Sequence, residues 1–238
     1  MNVLAIGNSF SQDATRYLHA VARADGVSLD VANLYIGGCP LERHFRNMHS
    51  GERAYELQYN GSETNFFVSL KEALLNRQWD VITIQQASHL SFDPASYTPY
   101  AAHIAACIRE LAPKARLMLH QTWAYEDGSE RLRNVAGYDT AAHMLADIKT
   151  AYASVCAEIS ADGLIPSGEL LAGILAGGVP KIHRDTFHAS LGLGRYALAL
   201  LWYHTLTGRP VTGNTFDDLD EPAPSEQMRF VREYVDSF

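Results

Sequence analysis

The chain has 238 residues, enough for one large domain with a substantial buried core. Hydrophobic residues make up 47% of it, an ordinary share for a folded globular protein and too high for a disordered one. The 19 Lys and Arg against 27 Asp and Glu leave a formal net charge of −8 and no long basic run, which argues against a nucleic-acid or anionic-membrane partner.

Cys39, Cys107 and Cys156 are odd in number and form no paired motif, which suits reduced thiols better than a disulfide framework. Met1-Asn2 leads straight into an apolar run with no basic region before it, and no stretch approaches the ~20 apolar residues of a membrane helix. The expectation is a cytoplasmic location, unless a leader has been removed.

Asn2-Val3-Leu4-Ala5-Ile6 reads as a buried strand of a parallel sheet, broken by Gly7-Asn8-Ser9-Phe10-Ser11. Gly7 allows a sharp turn, and Ser9 or Ser11 can cap a helix over Asp13 to Arg23. Ser28 to Tyr35 alternates apolar and polar as a second strand near an edge, ending at Gly37-Gly38-Cys39-Pro40 and a polar stretch. Tyr55 to Tyr59 followed by Asn60-Gly61 predicts a strand and turn, a small hairpin inserted around residues 50–65.

Phe67, Leu70, Ala73 and Leu74 mark a helix, and Trp79 to Ile84 is the next buried strand, broken by Gln85-Gln86-Ala87-Ser88-His89. A helix from about Tyr97 to Leu111 precedes a fourth strand, Ala115 to His120, and Gln121-Thr122-Trp123-Ala124-Tyr125 follows it. A long helix over Tyr138 to Ile159 leads to a short fifth strand at Gly163 to Pro166. The remainder is mostly helical, with an acidic run and a short helix in a C-terminal segment over 216–238. Alternating strands and helices predict an α/β protein with a five-stranded parallel sheet and helices on both faces, in one domain over 1–238.

In such a sheet the loops after the strands open on one edge, so Ser9, Gly37-Gly38, Gln85-Gln86 and Gln121 to Trp123 can converge. Turn chemistry asks for Gly, Asn, Asp or Pro there, and paired glutamines are unexpected. They serve either the loop backbone or a ligand. In Arg184-Asp185-Thr186-Phe187-His188-Ala189-Ser190, Asp185 can reach back to the His188 imidazole, fixing its tautomer and stabilising the imidazolium. The same residues read alternatively as a helix cap, and His183, Asp185 and His188 as metal ligands with no matching cluster elsewhere. Taken together, Ser9 as nucleophile, His188 as base then acid, Asp185 as its orienter and amide donors between them supply every role an acyl hydrolase needs.

Gly7-Asn8-Ser9-Phe10-Ser11, Gly38, Gln85 to Ser88 and Asp185-Thr186-Phe187-His188 resemble, in order, blocks I, II, III and V of the SGNH (GDSL-like) hydrolases. The likeness is nearest to a bacterial branch opening Gly-Asn-Ser-Phe. It implies a flavodoxin-like three-layer α/β/α fold, esterase, lipase, thioesterase or carbohydrate deacetylase activity, and no metal or other cofactor. It also implies an oxyanion hole from the N–H groups of Ser9 and Gly38 and a side-chain amide. The family's third block carries an Asn where this chain has Ala87, so that role passes to Gln85, with Gln86 as the alternative. Gln86, His44, His89, Gln121, Trp123 and Tyr125 are candidates for the pocket rim, and amide and aromatic groups suit a sugar ring. The expected function is removal of small acyl groups, acetyl above all, from a small-molecule or glycan ester. The alternatives are a thioesterase or lysophospholipase and a non-catalytic carbohydrate-binding relative. A phosphate loop at Gly7-Asn8-Ser9 lacks both the Gly-x-Gly-x-x-Gly pattern and the P-loop lysine.

Overall fold

The opening apolar run becomes β1 (Asn2–Gly7), the central strand of a seven-stranded sheet in the computed structural model, which describes residues 1–238. It pairs in parallel with β2 (Asp30–Tyr35) on one side and β5 (Val81–Ile84) on the other, and β6 (Arg116–His120) and β7 (Gly163–Ile165) continue the parallel part. These are the five predicted strands. Beyond β2 the sheet gains two antiparallel strands, β3 (Tyr55–Tyr59) and β4 (Ser62–Val68), so β2 lies inside the sheet and not near its edge. The hairpin turns at Asn60 and Gly61, whose φ angles of 49° and 82° match the mirror-image turn that Asn-Gly favours. Phe67 belongs to β4 rather than to a helix, and with Phe66 it is exposed on this edge strand.

Helices flank the sheet in two packed groups. One holds α1 (Ser9–Thr15), α2 (Leu18–Ala24), α7 (Ser167–Ala176), α8 (Leu193–Thr207) and α9 (Ser225–Val235). The other holds α3 (Leu41–Ser50), α4 (Leu70–Leu75), α5 (Tyr100–Leu111) and α6 (Ala141–Glu158). The single helix predicted over Asp13 to Arg23 is two, and the first begins at Ser9. Asn8 caps it, its side-chain oxygen accepting the Phe10 N–H at 3.0 Å, so neither Ser9 nor Ser11 is the cap. Every residue of α8 from Tyr196 to Tyr203 is buried, as befits a helix that is apolar nearly all round.

A buried carboxylate ties distant parts of the chain together. Asp13 in α1 is fully buried and accepts from Arg184 Nη1 at 2.9 and 3.0 Å, from Arg195 Nε at 2.8 Å and from the Ala189 N–H at 3.2 Å. Arg195 also donates to Asp220 at 2.7 Å, and Asp220 pairs with Arg16. Phe216 lies against Tyr17, 5.4 Å between ring centres. The C-terminal segment therefore packs on α1 and α8 of its own chain.

His44 and His120 are the other buried ionisable groups of note, and burial pushes both down to about 3, with the Arg43 charge adding to the shift at His44. Below the ordinary histidine value the unfolded chain takes up protons that these two rings refuse until about pH 3, so stability falls as pH drops through this window.

Two outcomes follow for stability. Asp13→Ala leaves two guanidinium groups without their shared partner and lowers unfolding free energy by about 3–5 kcal/mol; a urea titration showing a loss below about 1 kcal/mol contradicts the clamp. Each buried histidine steepens acid destabilisation by up to about 1.4 kcal/mol per pH unit. His120→Gln should therefore flatten stability against pH between pH 6 and pH 4, roughly the span of the window, and an unchanged slope contradicts the neutral buried ring.

Candidate active site

The strand order reverses between β1 and β5, since the chain passes from β1 outward to β4 and returns on the other side. Doubly wound sheets bind ligands in the crevice at such a point, outside the carboxyl ends of the strands. Ser9 stands there directly after β1, and Gln85 directly after β5.

The loop that opens at His183 brings His188 to the same crevice. His183 and Ala189 form an isolated antiparallel bridge that closes the base of this loop. Within it Asp185 Oδ1 accepts the His188 N–H at 2.9 Å, and Asp185 Oδ2 lies 2.8 Å from His188 Nδ1. Thr186 turns the chain between them through a φ of 73°, a strained value for a β-branched residue, and its carbonyl accepts the Glu126 N–H at 2.7 Å. A carboxylate only accepts, so Nδ1 carries the proton and Nε2 is left with a bare lone pair. Nε2 lies 2.7 Å from Ser9 Oγ, and the serine hydroxyl donates to it. Burial pushes the Asp185 carboxyl up, but the His188 side-chain and backbone bonds and the charges of His188 and Arg184 outweigh it and hold the carboxyl below its ordinary value. The arrangement can draw a proton off a hydroxyl and stabilise the cation that results.

Beneath Ser9 the packing is close enough to require glycine. A Cβ on Gly7 would stand 2.6 Å from Ser11 Oγ and 2.9 Å from Gln85 Cδ. Asn8 joins three loops: Oδ1 accepts from Phe10 N–H and from Gln85 Nε2 at 2.8 Å, and Nδ2 donates to the Cys39 carbonyl at 3.1 Å. Gln85 Oε1 in turn accepts from His120 Nδ1 at 2.8 Å. Gln85 is 1% exposed, so its amide braces the Ser9 loop from below, where the sequence assigned it to the oxyanion hole. Gln86, its alternative, is equally committed: Oε1 accepts from Leu41 and Ala87 N–H at 2.9 Å, and Nε2 donates to Ser96. No side-chain amide of this loop replaces the missing Asn. The backbone offers what remains, because Ser9 is the first residue of α1 and has no intrahelical acceptor for its N–H. Gly38 is exposed, with a φ of 61°, and its N–H makes no bond within the protein.

Of the expected rim residues, His89 is exposed, and partial desolvation of its ring together with the Arg131 charge lowers its pKa. The others are elsewhere. His44 is fully buried against Tyr55, its Nδ1 lying 3.0 Å from the phenol oxygen. Gln121 is spent on the start of α7, where Oε1 accepts from Gly168 and Glu169 N–H. Trp123 is buried, stacked 4.1 Å from Phe10 and donating to the Phe187 carbonyl at 2.7 Å. Tyr125 is buried too, with its hydroxyl 3.0 Å from Ser88 Oγ. His183 lies 3.1 Å from the Ala124 carbonyl through Nε2, and no group of three His, Cys, Asp or Glu is arranged to hold a metal. A groove of about 870 Å³ runs between α6 and α7, and Trp123 forms part of its wall while Ser9 and His188 take no part in it.

Asn8, Asp13, Arg184 and Arg195 hold the site together without having been singled out as site residues in the sequence. Asn8 had a local signal, since Asn is a strong helix cap immediately before the nucleophile candidate. Asp13 had none, its partners lying 171 to 182 residues away.

Several solved structures share this architecture. A proposed SGNH hydrolase from Slackia heliotrinireducens superposes with a TM-score of 0.64 at 24% identity, over 87% of this chain and 98% of that one. An acetylxylan esterase from Geobacillus stearothermophilus gives 0.51 at 13% identity, over 86% and 91%. The fold is that of the SGNH hydrolases. No curated protein matches the chain in sequence. A DUF4886 family protein from Bacteroides uniformis ATCC 8492 gives a TM-score of 0.90 at 32% identity, covering 100% of this chain and 93% of its own. The model of that family, described as a domain of unknown function, matches residues 2–228, and the chain belongs to the DUF4886 family.

Proposed function

We propose that the protein is a serine ester hydrolase that removes small acyl groups, acetyl foremost, from carbohydrate esters. The observation that carries this reading is the relay from Ser9 Oγ through His188 to Asp185, at 2.7 and 2.8 Å. Ser9 Oγ attacks the ester carbonyl as its proton passes to His188 Nε2, and Asp185 stabilises the imidazolium. The N–H groups of Ser9 and Gly38 take the oxyanion; each such donor is typically worth ~3–4 kcal/mol in the transition state. His188 then returns the proton to the departing sugar oxygen, leaving an acyl ester on Ser9. Water, deprotonated by the same imidazole, releases the carboxylic acid and restores the serine.

Two features favour a short acyl group. Phe10 and Phe187 pack against His188, with ring centres 5.8 and 3.8 Å from the imidazole, and Trp123 stacks on Phe10 behind them. The fold is also shared with an esterase of acetylated xylan. A second reading, hydrolysis of longer acyl esters or thioesters, draws on the apolar groove between α6 and α7, but neither Ser9 nor His188 lines it.

Ser9→Ala should lower p-nitrophenyl acetate turnover by at least about 10⁴-fold without changing the unfolding midpoint, and a rate within tenfold of the parent contradicts the assignment. Across p-nitrophenyl esters of increasing chain length, kcat/KM should fall beyond the shortest acyl groups. A maximum at eight carbons or more, roughly the reach of the apolar groove, favours the second reading. Gln85→Leu, which cuts Asn8 from His120, should reduce kcat more than KM, and an unchanged kcat contradicts its bracing role.

A further inference from the structure

One cation beside the catalytic pair has no carboxylate partner. Arg131 opens a π-helical stretch, Arg131–Ala136, in the long connection between β6 and α6, and such stretches recur at functional sites. Its guanidinium carbon sits 3.8 Å from the centre of the Phe187 ring, whose other neighbour at that distance is the His188 imidazole. Tyr125 lies below at 5.8 Å, and His89 is close enough to feel its charge.

Arg184, Arg195 and Arg16 are each locked to a carboxylate, whereas Arg131 makes no ion pair and has the Tyr125 hydroxyl as its polar neighbour. The rings of Phe187 and Tyr125 lie against it, and no carboxylate pairs with it. What sets Arg131 apart is its place, a guanidinium without a carboxylate partner on the ring that packs against the His188 imidazole. Contact with the Phe187 ring confines the guanidinium while leaving donors for a ligand, and a planar fork matches a carboxylate in a bidentate way.

We infer that Arg131 is a specificity residue that receives a carboxylate on the sugar being deacylated, so that the preferred substrate is an O-acetylated acidic sugar. The inference rests on the ester-hydrolase reading above and narrows its substrate class. Because the carboxylate is remote from the reacting carbonyl and bound alike in ground and transition states, Arg131 acts mainly through KM.

The test compares acetylated methyl glucuronide with acetylated methyl glucoside. The parent protein should favour the charged sugar by about tenfold or more in kcat/KM, mostly in KM. Arg131→Gln should bring the ratio to about one, and Arg131→Lys should keep only part of it, since an ammonium lacks the fork. If Arg131 only props Phe187, its replacement slows both sugars equally and the parent's ratio persists, which overturns the inference. Equal rates on the two sugars in the parent overturn it as well. Loss of all turnover, p-nitrophenyl acetate included, strikes the hydrolase reading instead, and binding then decides the role of Arg131. In Ser9→Ala, saturation-transfer NMR should detect methyl glucuronide over methyl glucoside, and that preference should vanish on adding Arg131→Gln. No preference in Ser9→Ala, or one that survives the second substitution, overturns the inference.

Discussion

The site depends on a single buried carboxylate. Ser9 and His188 are 179 positions apart, and the loop carrying His188 is not part of the sheet. Asp13, one turn beyond Ser9, reaches that loop through Arg184 and through the Ala189 N–H beside His188 itself, and reaches the start of α8 through Arg195. Arg184 also donates to the Ala189 carbonyl, so both main-chain polar groups of that residue engage the clamp. Removing a carboxylate from water is costly, and these four donated bonds offset the cost only in one geometry. The clamp thus converts a weakly specified loop into one whose imidazole meets the serine hydroxyl.

A second constraint acts on the other side of Ser9. Asn8, Gln85 and His120 form a chain of hydrogen bonds from the first loop through the third to the end of β6. His120 stays neutral there because burial disfavours its charge, and a neutral ring with its proton on Nδ1 is the donor that Gln85 needs. Its far side meets Trp202 edge-on, 4.9 Å between ring centres, which carries the packing into α8. Asn8 also holds the Cys39 carbonyl, so the Gly38 loop and the Ser9 loop are set relative to one another by one side chain. Side-chain amides here fix where main-chain donors stand.

Much of the fold was legible because strands β1, β5 and β6 are mostly apolar, and strand-end loops of a parallel sheet share an edge. The serine and the Asp-x-x-His segment were legible for the same reason, together with a carboxylate-to-imidazole spacing that is local. What could not be read was direction. Gln85, Gln121, Trp123 and His44 are polar or aromatic residues near strand ends, and nothing in their spacing says whether they face the crevice or the helical layer. The neighbours decide: Asn8 and His120 capture Gln85, the start of α7 captures Gln121, Phe10 captures Trp123, and Tyr55 captures His44. The hairpin partner β4 was hidden because an edge strand with exposed Phe66 and Phe67 lacks the usual alternation.

The central claim is that the Ser9 hydroxyl is made nucleophilic by His188. Intact-mass analysis after exposure to a fluorophosphonate probe tests it most directly, since only an activated serine forms the adduct at a useful rate. The account predicts one adduct per chain, mapped to Ser9 by peptide sequencing and absent from His188→Ala, with the folded state of that variant unchanged. An adduct on another residue, or none on a folded protein, would contradict it.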